Sequence, residues 1–438
     1  MTESAHGKKV YLRSFGCSSN LAEGEFMAGC LSHAGYDITT TADEADVLIY
    51  NTCAVKTPTE NRIIEILKKA RAIEGKQLVI TGCLPLVNYE RLRSQVDFDG
   101  ILGQGVGYTI VETVDRVLRK ERVVSLDKNL GKKPSLDLPR IPVNPIISIV
   151  PIAQGCSGSC SYCCVVFARG RLRSCSPDQI VSRIKHDLNS GAKEVWLTAQ
   201  DTACYGRDIG VDLVTLLNQT CRIESEFLLR VGMMTPNFAS DTLSELVEAF
   251  KDDHIFKFLH LPVQCGDEEV LKHMNRFYSV DDFKRVVSAF RKAIPDLTLA
   301  TDVIVGFPGE SAEAFEHTLQ LIEDVEPDIV NISKFFPRPR TPAEKMPQKV
   351  SQKEIVERSK TITDLTRKIA TEKNRAWSGW RGRILIDEIG KRPQSFIGRN
   401  FAYKPIVVKD SDHSLLGSYI NVRMKKTFRT YLEAEIVD

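Results

Sequence analysis

Three cysteines stand in one short run, Gly155-Cys156-Ser157-Gly158-Ser159-Cys160-Ser161-Tyr162-Cys163, with the spacing Cys-x3-Cys-x2-Cys. As thiolates they offer a metal three ligands from one tight loop, with no fourth Cys or His at a matching distance. A structural zinc site closes its tetrahedron with a fourth ligand, usually from a second paired motif. A cubic iron–sulfur cluster on three cysteines instead leaves one iron open to a small chelating molecule, and brings redox chemistry that no side chain supplies. The alternative, a zinc or disulfide loop, lacks its partner motif.

Cys17, Cys53 and Cys83 form a second set. Each follows a strand-like run: Val10–Phe15 before Gly16-Cys17, Asp46–Tyr50 before Asn51-Thr52-Cys53, and Gln77–Ile80 before Thr81-Gly82-Cys83. A helical stretch, Thr59–Ile73, connects the second run to the third. In an open α/β sheet the loops beyond the carboxyl ends of neighbouring strands share one crevice, so thiols scattered along the chain can converge. Unrelated buried cysteines are the competing explanation.

Strand-like runs continue at Ile146–Val150, Glu194–Ala199, Phe227–Val231, Phe256–Pro262, Leu297–Val305 and Ile329–Phe335. Amphipathic stretches separate them, among them Asp241–Lys251, Val280–Lys292 and Ala312–Asp324. Ser176 as N-cap, Pro177 at the first position and Gly191 past the last turn mark the first helix. Six strands alternating with helices imply a parallel sheet, most simply a (β/α)6 partial barrel. The three-cysteine loop then follows its first strand, on the face where parallel barrels carry their chemistry. Gln200-Asp201 ends the second strand and Arg230 the third, which puts polar groups on that rim.

At 438 residues, 42% hydrophobic and 26% charged, the chain has room for two to three globular domains. Twelve cysteines are too sparse for a disulfide scaffold, and no apolar leader is present, so a reducing cytoplasm is expected. No apolar run approaches the roughly 18 residues that span a bilayer, which excludes a membrane role. The expected organisation is an N-terminal open parallel α/β sheet domain over 1–126, a linker over 127–141, the partial-barrel domain over 142–372, and a small all-β barrel over 373–438. Gly131, Lys132, Lys133 and several prolines mark the linker. After a helix at about Gln352–Lys373, β-rich segments follow at Trp380–Glu388, Ser395–Val408 and Ser418–Lys425. This tail mixes Arg381, Arg383, Arg399, Lys404, Arg423, Lys425, Lys426 and Arg429 with Phe396, Phe401, Tyr403 and Phe428. Cations for phosphate and rings for unpaired bases suit a single-strand RNA reader, while a solvated surface is the plainer reading. A net charge of +2 makes no global case for nucleic acid.

Along nearly its whole length the chain resembles the radical-SAM methylthiotransferases. The motifs are Gly16-Cys17-Ser18-Ser19-Asn20, Asn51-Thr52-Cys53, Thr81-Gly82-Cys83, Gly155 to Cys163, His260-Leu261-Pro262-Val263-Gln264, Asp302 to Glu310, and Pro337-Arg338-Pro339 before Thr341-Pro342-Ala343. The resemblance implies two [4Fe-4S] clusters, one on Cys156, Cys160 and Cys163 and one on Cys17, Cys53 and Cys83. It also implies S-adenosyl-L-methionine (SAM) as radical source and methyl donor, with Gln200, Arg230 and Gln264 as cofactor contacts, and a C-terminal TRAM domain. No side chain is expected to act as a catalytic acid or base.

Ala168-Arg169-Gly170, Tyr205 to Gly210 and Arg230 to Pro236 resemble the branch that acts on N6-threonylcarbamoyladenosine at tRNA position 37, and the compact termini resemble its archaeal members. Arg169, Arg171, Arg173 and Arg207 lie in or beside these stretches and offer cations to the threonyl carboxylate. The implied partners are a tRNA anticodon loop, an electron-donor protein and a sulfur source. Isopentenyladenosine-37 tRNA and a ribosomal-protein aspartate are the alternative substrates, and a non-catalytic zinc-dependent RNA-binding protein is the alternative of another class. Cys265 stands where the family usually has Ser, Arg340 where it usually has Gly, as an extra phosphate contact, and Cys164 directly follows a ligand without being one. Cys30, Cys175, Cys204 and Cys221 lack partner spacing and are expected to be ordinary thiols.

Overall fold

The computed structural model describes residues 7–104, 107–126, 135–409 and 415–437. Its N-terminal sheet has six parallel strands in the spatial order Asp37–Thr39, Lys9–Ser14, Val47–Thr52, Gln77–Gly82, Gly100–Leu102, Val123–Ser125. Val47–Thr52 is buried along its whole length because both sheet faces are covered. Met27 and Leu31 of helix Ser18–His33 pack on one face, and Ile63, Ile64 and Leu67 of helix Thr57–Arg71 on the other. The strands Asp37–Thr39, Gly100–Leu102 and Val123–Ser125 are too short to carry a readable period, and the sequence did not reveal them.

In the central domain six parallel strands follow chain order: Ile147–Pro151, Glu194–Thr198, Leu228–Val231, Phe258–His260, Thr298–Val305 and Ile329–Lys334. They form two three-stranded halves joined by a bridge from Leu229 to Ile255, giving an open barrel with its helices outside. Ser176 caps helix Pro177–Asn189 in a full capping box with Gln179. The single helix expected over Asp241–Lys251 is instead two, Pro236–Asp241 and Leu243–Ala249. Pro236 starts the first early, and Thr242 leaves helical geometry between them (φ −130°, ψ 38°).

Gly131, Lys132 and Lys133 of the expected linker lie outside the described residues. Farther along, Arg140 buries its side chain and bridges Glu25 at 2.9 Å and Asp187 at 3.1 Å, tying the N-terminal helix to the barrel. Arg338 does the same from the other side, donating to Glu60 and, at 3.2 Å, to Thr57. Both pairs are sealed from water, so removing one partner would strand a buried charge.

Helix Gln352–Arg375 leads into a closed five-stranded barrel, Arg381–Ile389, Ser395–Arg399, Pro405–Lys409, Tyr419–Thr427 and Leu432–Ile436. The run expected as one segment over Ser395–Val408 is two strands, turned at Tyr403 (φ 60°). The small barrel docks against the amino ends of the large barrel's strands, opposite the cysteine loop. Tyr403 packs edge-on against Phe256 and at a tilt against Phe258, and Lys404 pairs with Asp328 at 2.7 Å. Much of the supposed RNA-reading set is therefore spent on folding. Phe396 is barrel core, Arg399 pairs with Asp387 and Glu388, and Arg383 reaches Glu226 at 2.6 Å. Arg381, Arg423, Lys425, Lys426 and Arg429 stay exposed.

The dock contains a fully buried carboxyl pair, Glu194 and Asp387. Burial pushes Glu194 up to about 8 and Asp387 up to about 6, with the neighbouring Arg399 pulling both down. A carboxyl whose folded pKa is raised stabilises the protonated, low-pH state and loses that stability as pH rises through the folded value. Melting temperature is therefore expected to fall from about pH 4.5, where the unfolded carboxyls ionise, to about pH 8, and to level off above it. Glu194→Gln should flatten that slope. An equal slope in both proteins would discard the pair as its origin.

Candidate active site

Each N-terminal cysteine leaves the carboxyl end of a strand. Cys17 caps helix Ser18–His33, Cys53 follows Val47–Thr52, and Cys83 opens the short helix Cys83–Val87. Gly16 sits in the left-handed region (φ 105°), and a Cβ there would lie 2.8 Å from the Cys53 sulfur, so only glycine lets the two loops meet. Asn20 laces the three ends together. Its amide donates to Phe15 O at 2.8 Å and Thr52 O at 3.1 Å, and its Oδ1 accepts from the Cys83 thiol and from Arg169. Burial pushes Cys53 up and Cys83 up to about 12, with Arg169 opposing in both cases. Arg169 itself is buried and forks onto Glu23.

The other loop springs from a two-residue hairpin, Ala153–Gln154 against Arg173–Ser174, beyond the first barrel strand. A Cβ on Gly158 would lie 3.3 Å from the Cys156 sulfur and 3.8 Å from that of Cys160, so the loop wraps its sulfurs around a backbone without a side chain. Gly158 N–H donates to Cys156 Sγ at 3.2 Å. Cys163 is pushed up to about 12 by burial, and its neighbours Cys160, Cys164 and Cys156 add to the shift. All six cysteines are free thiols. Two sets of three unbridged thiols, one on a single loop and one at three neighbouring strand ends, offer the donor chemistry of a thiolate-bound iron–sulfur cube.

Gln200 accepts from Gly155 N at 2.6 Å and so braces the cysteine loop. Arg230 points into the barrel, ringed by Trp196 at 5.1 Å, Phe258 at 5.3 Å and Tyr403 at 5.3 Å. Gln264 is buried, in the left-handed region (φ 71°), and bonds through its backbone to Asp302 O and Ile304 N. Gln200 and Gln264 thus lie past the carboxyl ends of their strands, whereas Arg230 sits inside its strand and faces Tyr403.

Sequence reasoning missed several neighbours. Cys204, read as an ordinary thiol, lies within 4.8 Å of Cys156 and Asp201. His260 Nε2 and Asn331 Nδ2 converge on Asp302 Oδ1 at 3.0 and 2.7 Å. Burial works against the Asp302 carboxylate, but His260, Asn331 and the more distant Lys56 together hold its pKa below the usual value. Lys56 follows Cys53 by three residues, so the charge facing the barrel mouth comes from the N-terminal domain. The arginines expected to meet an anion are mostly engaged: Arg169 with Glu23, Arg207 with Asp241 at 2.5 Å, and Arg340 with Leu86 O at 2.6 Å. Arg171 is exposed, and Arg173 donates from Nη2 to Arg169 O at 3.1 Å while its Nε and Nη1 have no partner. Cys265 is buried 3.4 Å from Thr318 Oγ1, and Cys164 is buried against Ala54 O. Among the described residues no helix is long and apolar enough to cross a membrane.

Residues 150–322 match the Radical SAM superfamily, and residues 9–103 match the Uncharacterized protein family UPF0004. A probable threonylcarbamoyladenosine tRNA methylthiotransferase of Pyrococcus horikoshii is 40% identical over 98% of this chain and 99% of its own length. The human threonylcarbamoyladenosine tRNA methylthiotransferase is 34% identical over 98% of this chain and 74% of its own. Among solved structures, the radical S-adenosylmethionine methyltransferase TsrM of Kitasatospora setae superposes with a TM-score of 0.57 at 13% identity, covering 77% of this chain and 74% of that one. That likeness supports the fold. With both N-terminal and barrel domains matched and relatives aligned over nearly its full length, the chain belongs to the threonylcarbamoyladenosine tRNA methylthiotransferase family.

Proposed function

We propose that this protein converts N6-threonylcarbamoyladenosine at tRNA position 37 to its 2-methylthio derivative. The observation that carries the reading is the presence of two three-thiol sets at the carboxyl ends of two parallel sheets, in a chain 40% identical to a named member of the family. Cys156, Cys160 and Cys163 would hold one [4Fe-4S] cluster and Cys17, Cys53 and Cys83 a second. When bound, these clusters and SAM supply the electron, the radical, the inserted sulfur and the methyl group. The chain's own residues position and insulate. Asn20 keeps the N-terminal sulfurs in one crevice, Arg169 sets a buried positive charge beside them, and Gln200 braces the cysteine loop. Gln200 and Gln264 remain the proposed SAM contacts, whereas Arg230 faces Tyr403 on the side away from the cysteine loop.

A polar substrate group suits the barrel mouth, where His260, Asp302, Asn331 and Lys56 offer donors, an acceptor and a cation. The exposed cations of the C-terminal barrel suit tRNA phosphates, whose contacts would weaken with salt. An electron-donor protein and a sulfur source complete the reaction, in the cytoplasm where the tRNA is found.

The test gives the anaerobically reconstituted enzyme tRNAs bearing threonylcarbamoyladenosine or isopentenyladenosine, with SAM, sulfide and dithionite, and measures nucleosides by mass spectrometry. Product is expected on the first tRNA, because a carboxylate-bearing group is badly solvated in a prenyl pocket and a prenyl group leaves buried donors unpaired. Product on the isopentenyl tRNA alone would reject the substrate while keeping the reaction.

A further inference from the structure

Arg276 lies in the loop between helices Glu268–His273 and Val280–Ala293, and the sequence singled it out for nothing. Its guanidinium donates three ways: Nη1 to Cys160 Sγ at 3.1 Å, Nε to Tyr278 Oη at 2.9 Å, and Nη2 to Pro262 O at 3.3 Å. The Tyr278 ring lies 5.1 Å from the guanidinium carbon, and its hydroxyl is fixed in turn by donating to Val263 O at 2.7 Å. One side-chain and one backbone hydrogen bond tie the same loop to the cysteine loop on both sides of Cys160. Asn275 Nδ2 donates to Ser159 O at 2.7 Å, and Ser161 N to Met274 O at 3.0 Å.

Arg276 forms no ion pair with a carboxylate among the described residues. Of the acids nearby, Asp201 feels its field, but that carboxylate is occupied with Thr235 and Ala203. A fork that is always charged, locked by its neighbours and aimed at a ligand sulfur without a carboxylate counter-ion, needs a negative charge at that sulfur.

We propose that Arg276 is a positioning residue that raises the reduction potential of the cluster held by Cys156, Cys160 and Cys163. The inference rests on the reading of those cysteines as cluster ligands. A thiolate-bound cluster gains one negative charge on accepting an electron, so a fixed cation and a hydrogen bond at one sulfur stabilise the reduced form more than the oxidised one. The electron comes from the one-electron donor that the reaction already requires, and nothing else is consumed.

The test uses the full chain with Cys17, Cys53 and Cys83 changed to Ala, so that one cluster remains, reconstituted anaerobically without tRNA. Iron and sulfide are assayed first; a protein that binds neither rejects the ligand assignment itself. The midpoint potential is then read by electron paramagnetic resonance during a redox titration. In Arg276→Gln the ratio of reduced to oxidised cluster at a fixed poise is expected to fall about ten-fold, a shift of about 59 mV to more negative potential for a one-electron couple. Arg276→Lys, which keeps the charge and loses the fork, should load iron and fall between. An unshifted midpoint at full iron content in Arg276→Gln would overturn the proposal. Loss of iron in both variants would do so too, by making the residue a scaffold only.

Discussion

Cys160→Ala is expected to abolish formation of 5'-deoxyadenosine from SAM, by at least about a thousand-fold, a loss equivalent to about 4 kcal/mol in transition-state terms. Cys160 is the middle thiol of the loop, its sulfur grouped with that of Cys156 around Gly158. Two thiolates hold an iron–sulfur cube poorly, and without the cube there is no route for the electron. Dithionite as reductant removes any dependence on a protein donor, and iron assay separates loss of the cluster from loss of folding. Deoxyadenosine released at the parental rate would remove this loop from the reaction.

Replacing Cys17, Cys53 and Cys83 together by Ala should act on a different step. About half the bound iron is expected to disappear, SAM cleavage under dithionite to persist, and methylthio nucleoside to fall below detection. The physical ground is that the three thiols leave neighbouring strand ends tied together by Asn20 and belong to a different domain from the barrel loop. Two of the three are buried, and truncation to Ala leaves small cavities of the kind that cost about 1 to 2 kcal/mol each, so a thermal melt should accompany the iron assay. Iron content equal to the parent would mean that these thiols only pack. Loss of SAM cleavage as well would mean that the two sets form one coupled site.

The C-terminal barrel carries a lesson about reading composition. Its mixture of cations and rings suggested a nucleic-acid surface, yet Lys404 and Tyr403 hold the barrel to the strands beneath it, and Arg399 pairs inside the barrel with Asp387 and Glu388. A charged side chain has the same letter whether it meets phosphate or a buried carboxylate. The exposed set around Arg423 and Arg429 is smaller than the sequence suggested.

By itself the sequence determined the alternation of strands and helices, the position of each cysteine set at strand ends, and the family motifs. Strand and helix periods are local properties, and a cysteine that follows a strand must lie at its carboxyl end whatever the packing. Only the tertiary structure decided which polar groups meet. Arg276 reaches Cys160 across 116 residues, Asn20 gathers Phe15, Thr52 and Cys83, and Arg338 finds Glu60 across 278 residues. No local pattern marks such pairs, because each partner's side chain is ordinary in its own segment and its role depends on burial and on what faces it. The same reason explains Cys204 and Arg169: one read as an unremarkable thiol lies beside Cys156, and one read as an anion receptor is locked onto Glu23.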